Sequence, residues 1–293
     1  MSEPARAVAV AGLSGRTLRF AEVVPGETGP SLRRLGAADF DFDAERAIFE
    51  TGNGAALETV AEALVEGLGG TAADTLVLAA HPTVTTSFFS RLPVALAPDV
   101  RAGQLRQETA LLADLSPTQA VRVRSRSVRV EATPQGDREW VHVVHVDETV
   151  HVRLARLAEV LGVGGYDLAD STRAAAAVAG PGASLVVGAF SEHTEVAVAR
   201  DGVFLFGTHG PSTAPADTAY FALAALQQAG IGTADLAGLR VYGDDATDER
   251  LDLTAEFTGA EATWIDPFSP FRRRPEADPA ELAAFTPVLG AAL

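Results

Sequence analysis

Two distant stretches of this chain follow one plan. Residues 8–23, VAVAGLSGRTLRFAEV, give an apolar strand, a tight Gly-Ser-Gly turn and a second, alternating strand. Residues 183–211, ASLVVGAFSEHTEVAVARDGVFLFGTHGP, give an apolar strand ending in Gly, a polar turn, a second strand, an Asp-Gly hairpin and a third strand. In the first copy the third strand lies in SLRRLGAADFDFD, where apolar and polar residues alternate. Each meander leads into a helix. GAALETVAEALVEGL, at 54–68, spaces its apolar residues by three and four, and PADTAYFALAALQQAGI follows the second copy. A further strand comes next in both, TLVLAAHP at 75–82 and LRVYGDD at 239–245. The copies sit roughly 175 residues apart, which argues for a duplicated α/β fold with a module inserted in the first half. A chain of 293 residues has room for two domains and that module.

The inserted stretch reads as strand SFFSRLPV, helix PDVRAGQLRQETALLADL with Pro at its start, alternating strand AVRVRSRSVRVEA, turn TPQGD and alternating strand REWVHVVHVD. The helix ETVHVRLARLAEVLGV and the strand GYDLAD complete a β-α-β-β-α-β order over residues 86–170. A short helix in STRAAAAVAG and the Pro181-Gly182 break follow. The predicted division is a first domain at 1–85, the insert at 86–170, a return helix at 171–180 and a second domain at 181–293.

Composition removes several classes of function. There are no cysteines, so disulfides, thiolate catalysis and finger-type zinc sites are excluded. The net charge is -16 and all 23 cationic side chains are arginine, a balance that repels nucleic acid and anionic lipid. Without lysine a Walker-type phosphate loop cannot be built. No apolar run approaches the roughly 20 residues of a bilayer-spanning helix, so no membrane insertion is expected. The start MSEPARAVAV lacks a leader pattern, which places the chain in the cytoplasm.

A meander opened by strand, glycine and turn, repeated in two domains, resembles the actin-like superfamily, whose members clasp ATP between their halves. The stretch SFFSRLPVALAPDVRAGQLRQETALLADL is similar to the start of the inserted subdomain of PilM-like proteins of type IV pilus assembly. There a helix with a mid-helix Glu follows a proline-bearing strand. ATWIDPFSPF and AAFTPVLGAAL are similar to that family's Asn-Pro-Phe segment and closing apolar helix. The resemblance covers nearly the whole chain by order of elements. It implies an α/β, two-domain actin-like (ribonuclease H-like) fold with an inserted ferredoxin-like α+β subdomain.

Actin-like ATPases carry an Asp two residues before the glycine of each phosphate hairpin, because Mg²⁺ and the attacking water need carboxylate oxygens there. In this chain those positions are Val10, before Gly12, and Val186, before Gly188. Hydrolysis is therefore not expected. The nucleotide-contact candidates that remain are Gly12, Ser14 and Gly15 in the first turn and Gly188 and Ser191 in the second, with Gly243 where the family packs adenosine against backbone. Backbone N–H groups at Leu13, Ser14 and Gly15 could cradle a phosphate, but two glycines equally make a tight hairpin. The lone Gly243, followed by Asp244 and Asp245, argues against binding. No cofactor is expected, ATP being the alternative.

The histidines give no evident metal site. His142 and His145 are three apart on one strand and so face opposite ways, and His151 falls on the next helix. His193 and His209, on the second domain's hairpins, lack a clear third ligand. Ser191, Glu192 and His193 are adjacent and cannot all face one substrate. Asp39, Asp41 and Asp43 alternate and would share a strand face, where a solvated acidic edge is expected over a cation site. Arg122, Arg124 and Arg126 share a face of the inserted hairpin and offer a docking surface for an acidic partner or a further subunit, against a plain solvated face.

The expected role is a non-catalytic cytoplasmic adaptor. What the resemblance implies is a groove in the first domain that takes the cytoplasmic tail of a PilN-like inner-membrane protein. The alternatives are a degenerate actin-like protein outside pilus assembly and, in another class, an active ATPase or sugar kinase.

Overall fold

The computed structural model describes residues 6–27, 29–50, 54–116, 121–212 and 214–293. The leader expectation turns partly on residues 1–5 and lies outside these. The first lobe begins with β1 (Ala7–Ser14), β2 (Thr17–Val24), β3 (Ser31–Asp39), α1 (Ala44–Phe49), α2 (Gly54–Leu68) and β4 (Ala73–Ala80). The insert supplies β5 (Thr86–Pro93), α3 (Pro98–Leu112), β6 (Arg124–Glu131) and β7 (Arg138–His145). Then come α4 (Glu148–Leu161), β8 (Gly165–Asp170) and α5 (Ser171–Ala177). The second lobe holds β9 (Ala183–Ala189), β10 (His193–Arg200), β11 (Val203–Pro211), α6 (Pro215–Ala229), β12 (Leu236–Tyr242), α7 (Asp248–Thr258) and β13 (Ala262–Trp264). The chain closes with α8 (Pro279–Ala283) and α9 (Thr286–Ala291).

The duplication is visible in the sheets. One runs β3-β2-β1-β4-β8 and the other β11-β10-β9-β12-β13, each an antiparallel meander followed by two parallel strands. Local chemistry sets the turns. Gly15 takes φ 54° between β1 and β2, while Asp201 and Gly202 both take positive φ between β10 and β11, as a hairpin turn matched to strand twist requires. The amphipathic α2 buries Val60, Ala61, Leu64 and Leu68 against the first sheet, each large side chain contributing roughly 1.5–3 kcal/mol.

Two boundaries differ from those read in the sequence. The insert's own sheet has three strands, β5-β7-β6, and ends at His145 rather than Asp170. Helix α4 packs Leu154, Leu157 and Leu161 into the same core as Val60 and Leu64 of α2, and β8 pairs in parallel with β4 from Thr75↔Gly165 to Ala80↔Asp170. A parallel pair needs a crossover, and α4 lies on it. The α+β insert thus lacks a fourth strand of its own, because the first lobe takes it. The second boundary is at the C-terminus, which is not confined to the second lobe. Phe268, Phe271, Leu282, Val288 and Leu289 form one core with Val10, Ala21 and Val23 of the first sheet. Helix α9 also crosses α5 so closely that a Cβ on Gly290 would overlap the backbone of Ala174. Among the described residues no helix is long and apolar enough to cross a membrane.

Candidate functional site between the lobes

The parallel strands of both sheets end at a shared crevice, the place where open α/β sheets put their functional groups. His81 follows β4, Ser171 follows β8, Tyr242 ends β12, and β10 contributes His193 and Glu195, two residues apart and so on one face. These residues meet at the Glu195 carboxylate, which is fully buried. Its Oε1 lies 2.5 Å from His81 Nδ1 and 3.3 Å from His193 Nε2. Its Oε2 accepts from Ser171 Oγ and from the Tyr242 hydroxyl, both at 2.7 Å. His81 follows a first-lobe strand and Glu195 lies on a second-lobe strand, so this contact ties the lobes together. Phe190 stacks on His193 at 4.6 Å and meets His81 edge-on at 4.9 Å, screening the cluster from water.

The electrostatics follow from burial and pairing. Burial alone would lower the His81 pKa, but the charges of Glu195 and Glu45 outweigh it and raise it to about 9. Burial would likewise raise Glu195, but the His81 charge and the His193 hydrogen bond hold its carboxyl well below the usual range. Tyr242 is pushed up by burial and then by the adjacent carboxylate, so it remains a neutral donor.

The glycine candidates flank this cluster, and each has a packing reason. A Cβ on Gly12 would stand 2.9 Å from Val288 Cγ2 of α9, and one on Gly188 would stand 2.5 Å from the Tyr242 ring. Gly243, at φ 102°, passes so close to Ala189 that a Cβ would overlap its carbonyl. The Gly15 N–H donates to Glu45 Oε2 at 3.3 Å, so the turn proposed as a phosphate cradle already holds a carboxylate. Burial raises the Glu45 pKa, opposed by His81, and its Oε1 is buried without a hydrogen-bond partner. Ser14 is half-buried, and Ser191 is exposed at the second turn. Val10 and Val186 are both fully buried, Val10 under α9 and Val186 in the apolar cluster around α5.

The Asp244-Asp245 turn is held by a separate network on the opposite face of β10. Arg250, with its side chain 6% exposed, pairs with Asp245. It also donates to Ser212 O at 2.8 Å and Thr194 Oγ1 at 3.2 Å.

Other sequence candidates disperse. Asp39 accepts from Thr17 Oγ1 at 2.7 Å, while Asp41 and Asp43 lie beyond the end of β3 and Asp43 caps α1, so the three carboxylates share no strand face. His142 faces Ser87 Oγ at 2.9 Å, His145 the carbonyl of Arg122 at 2.9 Å, and His151 the Tyr166 hydroxyl at 3.0 Å. The arginine face also divides. Arg122 precedes β6 and pairs with Glu148 at 2.7 Å, and Arg124 pairs with Asp167. Arg126 lines a groove of about 560 Å³ with Arg124, Asp167, Arg173 and Val203. Two sheet-edge strands, β6 of the insert and β8 of the first lobe, border that groove.

Sequence reasoning passed over His81, Glu45, Ser171, Glu195 and Tyr242. A signal was present for Glu195: a carboxylate inside the apolar strand TEVAVA, directly opposite Gly188 in the hairpin.

The fold these features define is the two-lobed actin-like fold. Comparison with solved structures agrees. A chain of a PilM-PilN type IV pilus biogenesis complex matches with a TM-score of 0.64 at 14% identity over 97% of both chains. A Bacteroides thetaiotaomicron protein with actin-like ATPase fold and unknown function matches with a TM-score of 0.56 at 11% identity, over 90% of this chain and 92% of that one. At such identities the likeness is one of fold, and in fold the chain is PilM-like. No family model and no curated protein sequence matches it.

Proposed function

We propose that this chain is a non-catalytic actin-like adaptor that docks the cytoplasmic tail of an inner-membrane protein of a pilus or related secretion assembly. One observation carries the non-catalytic part: the crevice where the superfamily holds nucleotide is occupied by the chain's own groups. Valines stand at both aspartate positions, Tyr242 covers Gly188, and Glu45 takes the Gly15 N–H. A triphosphate would have to displace buried carboxylates of its own sign. Docking is supported by the groove between the edge strands β6 and β8, where Arg126 and Arg173 stand beside the Arg124–Asp167 pair, Asp170 and Asp201. An extended acidic tail can add to such an edge through main-chain hydrogen bonds.

The reading is tested by calorimetry on the full chain with two titrants. With Mg·ATP no heat of binding is expected; micromolar binding with turnover restores the ATPase or sugar-kinase reading. The second titrant is a synthetic cytoplasmic tail of a PilN-like inner-membrane protein. Micromolar binding that weakens at least tenfold in Arg126→Glu is expected. Silence with that peptide overturns the adaptor reading and leaves an actin-like protein outside pilus assembly.

A further inference from the structure

We propose that His81, His193 and Glu195 form a binding site for a divalent transition metal of the zinc class, which clasps the two lobes. Among the described residues this is the one group of three imidazole or carboxylate donors whose ligand atoms all lie within 4.8 Å of one another. Zinc bonds of about 2.0–2.2 Å to nitrogen and oxygen put neighbouring ligand atoms of a tetrahedron roughly 3.3–3.5 Å apart. The 3.3 Å between His193 Nε2 and Glu195 Oε1 already has that spacing. The 2.5 Å between His81 Nδ1 and the same oxygen is shorter, so the ion displaces the shared proton and the two groups separate by about 1 Å to admit it.

Three further observations distinguish the site from a self-contained ion pair. The second carboxylate oxygen is fixed by Ser171 and Tyr242 at 2.7 Å, the outer-shell support that orients a ligating carboxylate. Next to it stand two further carboxyl groups, each with a buried oxygen that accepts no hydrogen bond. Glu45, whose carboxyl interacts electrostatically with His81, His193 and Glu195, keeps Oε1 buried without a hydrogen-bond partner. Asp170, beside Ser171, caps α5 through Oδ1, while its Oδ2 makes no hydrogen bond and lies 3.8 Å from His142 Nε2. A buried carboxyl oxygen with no hydrogen-bond partner, beside two imidazoles and a carboxylate, is a group that a bound dication would satisfy. Access is also present, since the His193 side chain is 15% exposed.

Donor chemistry selects the ion. Two imidazoles and a carboxylate suit zinc and its neighbours, whereas Mg²⁺ and Ca²⁺ favour all-oxygen shells. The site is independent of the adaptor reading, which concerns the groove beside β6.

The test titrates chelator-stripped full chain with Zn²⁺ by competition against a chromophoric chelator. Cobalt absorption serves as a second readout. One equivalent is expected to bind, with Co²⁺ giving the visible bands of a four-coordinate site. His193→Ala leaves the His81–Glu195 contact in place and so is the variant that retains the fold. It is expected to weaken Zn²⁺ at least tenfold and to alter the cobalt spectrum, and Glu45→Gln is expected to change that spectrum with a smaller loss. Absence of saturable binding overturns the proposal, as does an unchanged affinity in a His193→Ala protein shown to be folded by circular dichroism. Equal affinity for Mg²⁺ overturns the ligand assignment.

Discussion

The two lobes present the same hairpin to the crevice and fill it in opposite ways. In each, the motif glycine of the first strand pairs with a charged residue of the second: Gly12 with Arg19, and Gly188 with Glu195. In the first lobe the neighbourhood is apolar. Val288 packs on Gly12, Val10 lies beneath the C-terminal helix, and Arg19 lies over the Phe285 ring at 6.0 Å. Burial lowers the Arg19 pKa, with Asp39 and Asp244 opposing. In the second lobe the charged residue lies at the centre of a hydrogen-bonded cluster and faces His81 from the first. Backbone topology therefore specifies where a site falls, while the side chains around it decide whether the space holds a ligand or a latch.

The largest expected break in this comparison is Glu195→Ala. Removing the carboxylate leaves the buried His81 without its counter-ion and frees Ser171 and Tyr242, so a loss of about 3–5 kcal/mol is expected in denaturant unfolding of metal-free protein. Arg19→Ala, at the matching position of the other lobe, should cost clearly less because that guanidinium makes its contacts at a half-buried site. Equal losses would mean that the two hairpins carry equivalent latches.

A pH series sharpens the same contrast. The folded His81 pKa is about 9 against an ordinary 6.5, so its contribution is fully present below pH 6.5 and is lost as pH rises through 9. Glu195 is depressed, so its contribution is present above its ordinary 4.5 and is lost as pH falls through its lower folded value. Stability of the metal-free chain should therefore decline from neutral pH toward 9, and His81→Gln should flatten that limb. A limb that persists in the variant assigns the decline to other groups.

Glycine substitutions come next in size. Gly188→Ala drives a Cβ into a Tyr242 ring held by Glu195, an overpacking cost of about 1–3 kcal/mol. Gly12→Ala meets one tight neighbour, a Val288 methyl at 2.9 Å, with Ala79 at an ordinary 3.6 Å, and a smaller melting shift is expected. A larger effect at Gly12 would show that α9 is the more rigid wall.

What was legible in the sequence depended on contact range. The helix over Gly54–Leu68 and the repeated hairpins are local patterns, and the correspondence of Val10 with Val186 follows once the copies are aligned. The partition of the insert was not legible. The order β-α-β-β-α-β is the same whether β8 joins β5 or β4, and the apolar stripe of α4 does not name its partner. The cluster was hidden for a stronger reason: His81 and Glu195 are 114 residues apart, and each alone is an ordinary polar residue.

The smallest expected effect separates the latch from ordinary surface pairing. Arg122 and Glu148 meet at 2.7 Å, but their side chains are 59% and 45% exposed. Solvent screening and side-chain entropy leave such a pair at about 0–1 kcal/mol, so Arg122→Ala should shift the unfolding midpoint little and lose even that at high salt. The His81–Glu195 contact lies out of reach of mobile ions and should keep its contribution in the same salt series. If both contributions fall together with ionic strength, the interlobe contact is solvated, and the two hairpins differ in sequence but not in how they hold the lobes.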